Sequence, residues 1–132
     1  MIKFLQKLGQ VLVAMLGLRG KGFPEESIRL ADEAYTELLH LNIEDLKLMS
    51  NEKFAEFIEN QNYSASYLEV LAELMYETAK SFDDKNDVQS ANSFYGKSLQ
   101  TYYLLSKKDK TFSFEREKII EELSCIVLNS LK

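Results

Sequence analysis

Two side chains in this sequence are of types that could act as a general base or a nucleophile, His40 and Cys125. His40 is the only histidine and lies on an apolar stretch near the predicted end of a helix, which favours a capping or packing role over proton transfer. Cys125 stands between Leu123 and Ile126, a setting that predicts an inert thiol in the core. One histidine and one cysteine cannot build an ordinary structural zinc site. We therefore predict that the chain is not an enzyme and has no catalytic residue, metal or cofactor.

Carboxylates form the one regular polar pattern. Glu69, Glu73 and Glu77 recur at four-residue steps, which places them on one side of a helix. A dimetal carboxylate site in a helical bundle takes Glu-x-x-His pairs, which a single histidine cannot supply. The ridge is therefore predicted to be a solvated face or a docking surface for a basic partner.

The elements that position these residues are predicted to be helices. Apolar residues recur at three- and four-residue steps, and no window alternates as a strand does. Pro24 is placed at the start of one helix, and Asn42, Ser50 and Ser64 are predicted N-caps. The length of 132 residues suits one domain, so we predict a single all-α domain over residues 1–132 with about six helices.

Charge is distributed unevenly along the chain. Residues 1–22 carry four basic and no acidic side chains, whereas the remainder carries twelve basic and twenty-one acidic ones. The net charge of −5 and the pI near 5.0 argue against a nucleic-acid partner.

Residues 1–20 are predicted to form an amphipathic first helix. Its polar side holds Lys3, Lys7 and Gln10; its apolar side holds Phe4, Leu5, Leu8, Val11, Leu12, Met15 and Leu16. A secretory signal, an interfacial membrane helix and a helix packed on the domain all share this pattern. The run is too short to span a membrane and lacks a small-x-small cleavage site, so we expect a packed helix in a cytoplasmic protein.

Residues 65–106 are predicted to form a helical hairpin, and within it residues 72–105 resemble a single tetratricopeptide repeat. The resemblance rests on a small residue, an aromatic three residues later, a polar turn, and Ala-x-x-x-aromatic; here these are Ala79, Phe82, Asn86-Asp87, Ala91 and Tyr95. Met75 and Thr78 depart from the pattern, as does Tyr103 where proline is common.

The resemblance implies tetratricopeptide-like antiparallel hairpins forming a small bundle or right-handed superhelix. Ala91 is then expected at the crossing of the two helices, with Tyr95 packed beside Phe82 and Ala79. The whole chain is also similar to a family of small bacterial helical proteins of unknown function, through its hydrophobic first helix and the segment Leu38-Leu39-His40-Leu41. That similarity implies no activity.

The first helix of such a repeat lines a concave groove where these domains bind peptides. The groove positions map to Glu73, Tyr76, Lys80, Asp83 and Asp84. The set is net acidic, which disfavours capture of a C-terminal carboxylate and favours a basic or amphipathic segment, including the protein's own N-terminal helix.

Two hypotheses about function follow. The first is a non-enzymatic protein-interaction module that binds a peptide, a helix or a second copy of the chain. The alternative is a peripheral membrane protein anchored by residues 2–18.

Overall fold

The structure, a computed structural model, describes residues 2–111 and 113–130, and within that part of the chain it contains helices and no strand. The predicted all-α class is therefore confirmed. The seven helices are α1 (Ile2–Gly20), α2 (Pro24–Leu39), α3 (Ile43–Leu48), α4 (Asn51–Asn60), α5 (Ala65–Asp84), α6 (Val88–Lys108) and α7 (Phe114–Ser130).

The ends of the helices are fixed by local side chains. Asn42, Ser50 and Ser64 each accept a hydrogen bond from the backbone amide three residues on, as N-caps do. Pro24 opens α2, where a missing backbone N–H costs nothing. His40 ends α2 in the left-handed conformation with φ of 58° and lies exposed, so its predicted position at a helix end is confirmed.

Several helices pack on their neighbours in the chain, and others make contacts across it. α1 packs on α2, α5 packs on α6, and the two hairpins meet because α5 contacts both α1 and α2. α7 packs on α6, and α4 contacts α6 as well. Side chains of α1, α5, α6 and α7 come together around one surface depression.

The hairpin of α5 and α6 closes tightly around small side chains and one aromatic stack. Ala79 and Ala91 are fully buried, which fits the expected close crossing. The ring that stacks on Phe82 is Phe94, with centroids 5.6 Å apart, and Phe94 also stacks on Tyr35 of α2. The ring of Tyr95, which the repeat resemblance places beside Phe82 and Ala79, lies edge-on against Tyr76.

Buried hydroxyl groups hold the two hairpins together. Ser27 of α2 and Ser81 of α5 lie 2.9 Å apart at their Oγ atoms, and the Tyr35 hydroxyl lies 2.7 Å from Thr78 Oγ1. All four side chains are buried, so each bond satisfies two groups that burial would otherwise penalise. These bonds fix the register of α2 against α5.

α1 is amphipathic, but its buried stripe is narrower than predicted. Leu8, Leu12 and Met15 are buried, whereas Leu16 is 52% exposed. The helix touches α2 on one side and α5 on the other, and no element of the described chain covers the flank that carries Leu16. Phe4 and Lys3 lie outside the described side chains. No helix in the described residues is long and apolar enough to cross a membrane.

α7 is an edge helix that packs through one face. Leu123 is its one buried side chain among those described. The prediction that Cys125 is a core thiol is wrong, because Cys125 is exposed. Two residues along a helix correspond to a rotation of about 200°, so Cys125 points away when Leu123 points inward.

Candidate partner-binding groove

A groove of about 220 Å³ runs over α5 between α1 and α7. We refer to it as the α5 groove, and its lining residues are Leu12, Leu16, Glu73, Tyr76, Glu77, Tyr102 and Ile119. The volume lies below the roughly 300–1,000 Å³ of typical small-molecule sites. The groove is therefore sized for one or two side chains of a larger partner.

Tyr76 lines the groove from α5. Its hydroxyl donates a hydrogen bond of 2.9 Å to Glu122 of α7, and the ammonium of Lys80 lies 4.4 Å from the centre of its ring. A cation over an aromatic face is attracted by the negative charge density of the ring. The tyrosine is thus fixed from both sides and links α7 to α5.

Glu73, one turn before Tyr76, has a different environment. No hydrogen bond or ion pair of this carboxylate occurs among the described residues. Desolvation by neighbouring groups, together with repulsion by Glu69 and Glu77, raises the pKa of Glu73 above its usual value. The groove therefore holds an exposed negative charge that no cation pairs with among the described residues.

The other end of α5 carries carboxylates that the chain itself neutralises. Arg19 of α1 contacts Glu77 through Nη1 at 2.5 Å and Asp84 through Nε at 2.9 Å. Asp83 accepts a hydrogen bond of 2.7 Å from the Tyr95 hydroxyl. The carboxylates on this side of α5 therefore bind the planar guanidinium of Arg19.

The five predicted groove residues therefore fall into two groups. Glu73 and Tyr76 line the groove, and Lys80 lies against the Tyr76 ring. Asp83 and Asp84 are engaged by Tyr95 and Arg19 and are not part of the groove. The predicted acidic ridge is likewise not uniformly solvated, because the side chain of Glu77 is only 13% exposed in its ion pair.

Sequence reasoning missed the residues that close the groove from the sides. Leu16 was assigned to a buried face, and no role was assigned to Ile119 or Tyr102. Their apolar periodicity indicates helices that pack, but it carries no information on which helix lies beside α5. Tyr102, an aromatic residue on the repeat-like hairpin, is the one residue whose type could have indicated a place in the groove.

Another crevice, of about 480 Å³, lies between α2, α3 and the turn joining α5 to α6. Two ion pairs lie in it, Lys85 with Glu25 at 3.3 Å and Lys47 with Glu44 at 3.5 Å. Both signs of charge therefore line this crevice, whereas the charged residues that line the α5 groove are carboxylates. Across the described part of the chain, no group of three or more His, Cys, Asp or Glu side chains could hold a metal ion.

Comparison of the chain with protein-family models, with curated proteins and with solved structures finds no match. The geometry and charge of the α5 groove are therefore the observations on which its function is argued.

Proposed function

We propose that this chain is a non-enzymatic protein-interaction module, built of tetratricopeptide-like hairpins, that binds a segment of a partner protein in the α5 groove. The order of contacts supports the repeat-like build. α1 and α2 form one hairpin, α5 and α6 form the next, and α7 follows in the place of a third first helix. Stacked hairpins bury a continuous core in this way and leave their first helices along one face.

Details of the second hairpin support the same proposal. Ala79 and Ala91 are fully buried where the two helices approach, and the turn between the helices contains Asn86 with φ of 65°. Asparagine tolerates this left-handed conformation better than most residues. Met75 and Thr78, the two departures from the repeat pattern in the first helix, are buried and packed.

The single observation that carries the proposal is the composition of the α5 groove. Four helices, α1, α5, α6 and α7, contribute aliphatic and aromatic side chains to it, and Leu16 on its rim is 52% exposed. Apolar and aromatic side chains grouped around a concave surface are typical of a binding site. Glu73 adds an uncompensated charge, which gives the surface chemical selectivity.

Site-specific photo-crosslinking in cells that produce the protein tests the proposal. A benzophenone amino acid replaces Leu16 in one variant and Leu48 in a control, since Leu48 is 87% exposed on α3 and away from the groove. We expect a discrete crosslinked product from position 16 and none from position 48. A product of twice the chain mass identifies a second copy as the occupant. Absence of any product specific to position 16 contradicts the proposal.

The membrane hypothesis receives less support from the packing of α1. Leu8 and Leu12, which an interfacial anchor would insert into lipid, are buried against the domain. We predict that vesicles of phosphatidylcholine and phosphatidylserine do not co-sediment the protein. Strong sedimentation that is lost in a Leu8→Asp, Leu12→Asp variant with retained helical circular dichroism would favour the membrane hypothesis instead.

A further inference from the structure

We infer that the occupant of the α5 groove is a cationic amphipathic segment, which presents a lysine or arginine to Glu73 and an aliphatic side chain to Leu16 and Ile119. This inference rests on the proposed function and adds the chemistry of the partner. It follows from a contrast between two carboxylate pairs on the same face of α5.

The first pair shows what the face binds. Glu77 and Asp84 are seven residues apart and receive one guanidinium, that of Arg19, which reaches them from α1. The side chain of Arg19 is 19% exposed, so most of its length lies against the protein. The chain therefore already contains one cationic side chain lying along this surface with its head between two carboxylates.

The second pair of carboxylates, Glu69 and Glu73, lies on the same side of α5 but, within the described chain, has no cation bound between its members. Glu69 and Glu73 are four residues apart on the same side of α5, and no basic side chain pairs with either among the described residues. The nearest lysine on the helix, Lys80, has its ammonium over the Tyr76 ring instead. Glu73 stands between two like charges on this helix, Glu69 and Glu77, so an approaching cation relieves the repulsion among them.

The apolar side chains of the groove determine which uncharged side chains of the partner fit beside its cation. Leu12 and Leu16 on one side and Ile119 on the other form aliphatic walls around Tyr76 and Tyr102. The stem of a lysine or arginine covers such a surface while its charged head remains near the carboxylates. A neighbouring leucine, isoleucine or valine of the partner then completes contact with Leu16.

The charge of the whole chain favours the same class of partner. Residues 23–132 carry an excess of nine acidic side chains, whereas the basic excess is confined to residues 1–22. An acidic body attracts basic segments over distances of about a Debye length and repels acidic ones.

Selection of peptides from a random library displayed on phage tests the inference without knowledge of the natural partner. The full chain is used as bait beside two charge-reversal variants, Glu73→Lys in the groove and Glu56→Lys on α4 as the matched control. Circular dichroism first establishes that both variants fold. Peptides selected by the wild type are then synthesised, and their affinities are measured by fluorescence anisotropy.

We expect the wild type and Glu56→Lys to enrich peptides that combine lysine or arginine with aliphatic residues. Binding of these peptides should weaken about tenfold or more in Glu73→Lys and in Leu16→Asp, and should weaken further as salt rises.

Two contrary outcomes separate the inference from the proposed function. Neutral or acidic peptides that bind equally to Glu73→Lys but lose binding in Leu16→Asp would overturn the cationic partner and leave the groove as a binding site. Enrichment of no peptide that depends on Leu16 would overturn both.

Discussion

Two faces of α5 differ in how their polar groups are paired: an inner face, with Thr78 and Ser81, that packs on α2, and an outer face, with Glu69, Glu73 and Glu77, that lies at the surface. On the inner face, Thr78 and Ser81 are buried and each has a hydroxyl partner on α2. On the outer face, Arg19 neutralises Glu77, whereas Glu73 makes no hydrogen bond or ion pair among the described residues. One helix thus carries a face whose polar groups bond across to α2 and a face that leaves Glu69 and Glu73 without a basic partner among the described residues. The comparison distinguishes the residues that fix the packing of the helices from those that we propose bind a partner.

The largest expected effect comes from Lys97, the one charged side chain in the interior of the described chain. Lys97 is 1% exposed, and its ammonium has only neutral partners, Ser93 Oγ at 2.9 Å and Asn51 Oδ1 at 3.4 Å. Burial lowers the pKa of Lys97 to about 8, compared with about 10.4 in an unfolded chain.

The sign of the pH dependence follows from proton counts. Between pH 8 and about pH 10.4 the unfolded chain binds more protons at Lys97 than the folded chain, so this residue makes the free energy of unfolding rise with pH by up to about 3 kcal/mol. The Lys97→Met variant should lack this contribution. Chemical denaturation of both proteins from pH 7 to 9.5 measures it, since the titration of the tyrosines is common to both. A constant difference between the two proteins would show that Lys97 is not desolvated.

A larger side chain at the crossing of α5 and α6 is expected to have the next largest effect on stability. Ala91 is fully buried, so Ala91→Leu forces extra methylene groups between α5 and α6 and should cost about 1–3 kcal/mol. Urea unfolding of this variant measures the loss, with Ala91→Ser as a control of nearly unchanged volume. Equal stability of Ala91→Leu and wild type would place Ala91 away from a tight crossing.

Breaking the ion pairs of Arg19 should have a smaller effect. Arg19→Gln removes partly buried contacts with Glu77 and Asp84, and the expected loss is about 1 kcal/mol, at the upper end of the range for exposed ion pairs. The loss should shrink at high salt, because salt screens the pair in the wild type. Unfolding at two salt concentrations provides the measurement, and a loss that salt does not change would indicate a packing role for the Arg19 stem instead.

Much of the fold could be predicted from local sequence patterns. Asn42, Ser50 and Ser64 act within one helical turn, so their roles as N-caps follow from the residues around them. The turn between α5 and α6 is equally local, since Asn86 and Asp87 lie in a short polar run. Helix class and most helix boundaries depend on information of this range.

The composition of the α5 groove could not be predicted, because it depends on which helices lie next to each other. The periodicity of apolar residues does not determine that. Asp83 and Asp84 have the sequence character of groove residues, yet Tyr95 and Arg19 reach them from other helices. The apolar helix position of Leu16 predicts a core residue, but Leu16 is 52% exposed at the rim of the α5 groove. Cys125 was misassigned for the same reason, since an edge helix buries one narrow stripe.

Thermal melts of Glu73→Ala and Ala91→Leu, recorded side by side, test most directly whether α5 has one face for folding and one for binding. Glu73→Ala removes an exposed carboxylate and should change stability by less than about 0.5 kcal/mol, which corresponds to a shift of roughly 2 °C in Tm. Ala91→Leu should lower the Tm by roughly 3–12 °C. A melt of Ala91→Leu like that of the wild type, with strong destabilisation of Glu73→Ala, would contradict the assignment of both faces and of the α5 groove.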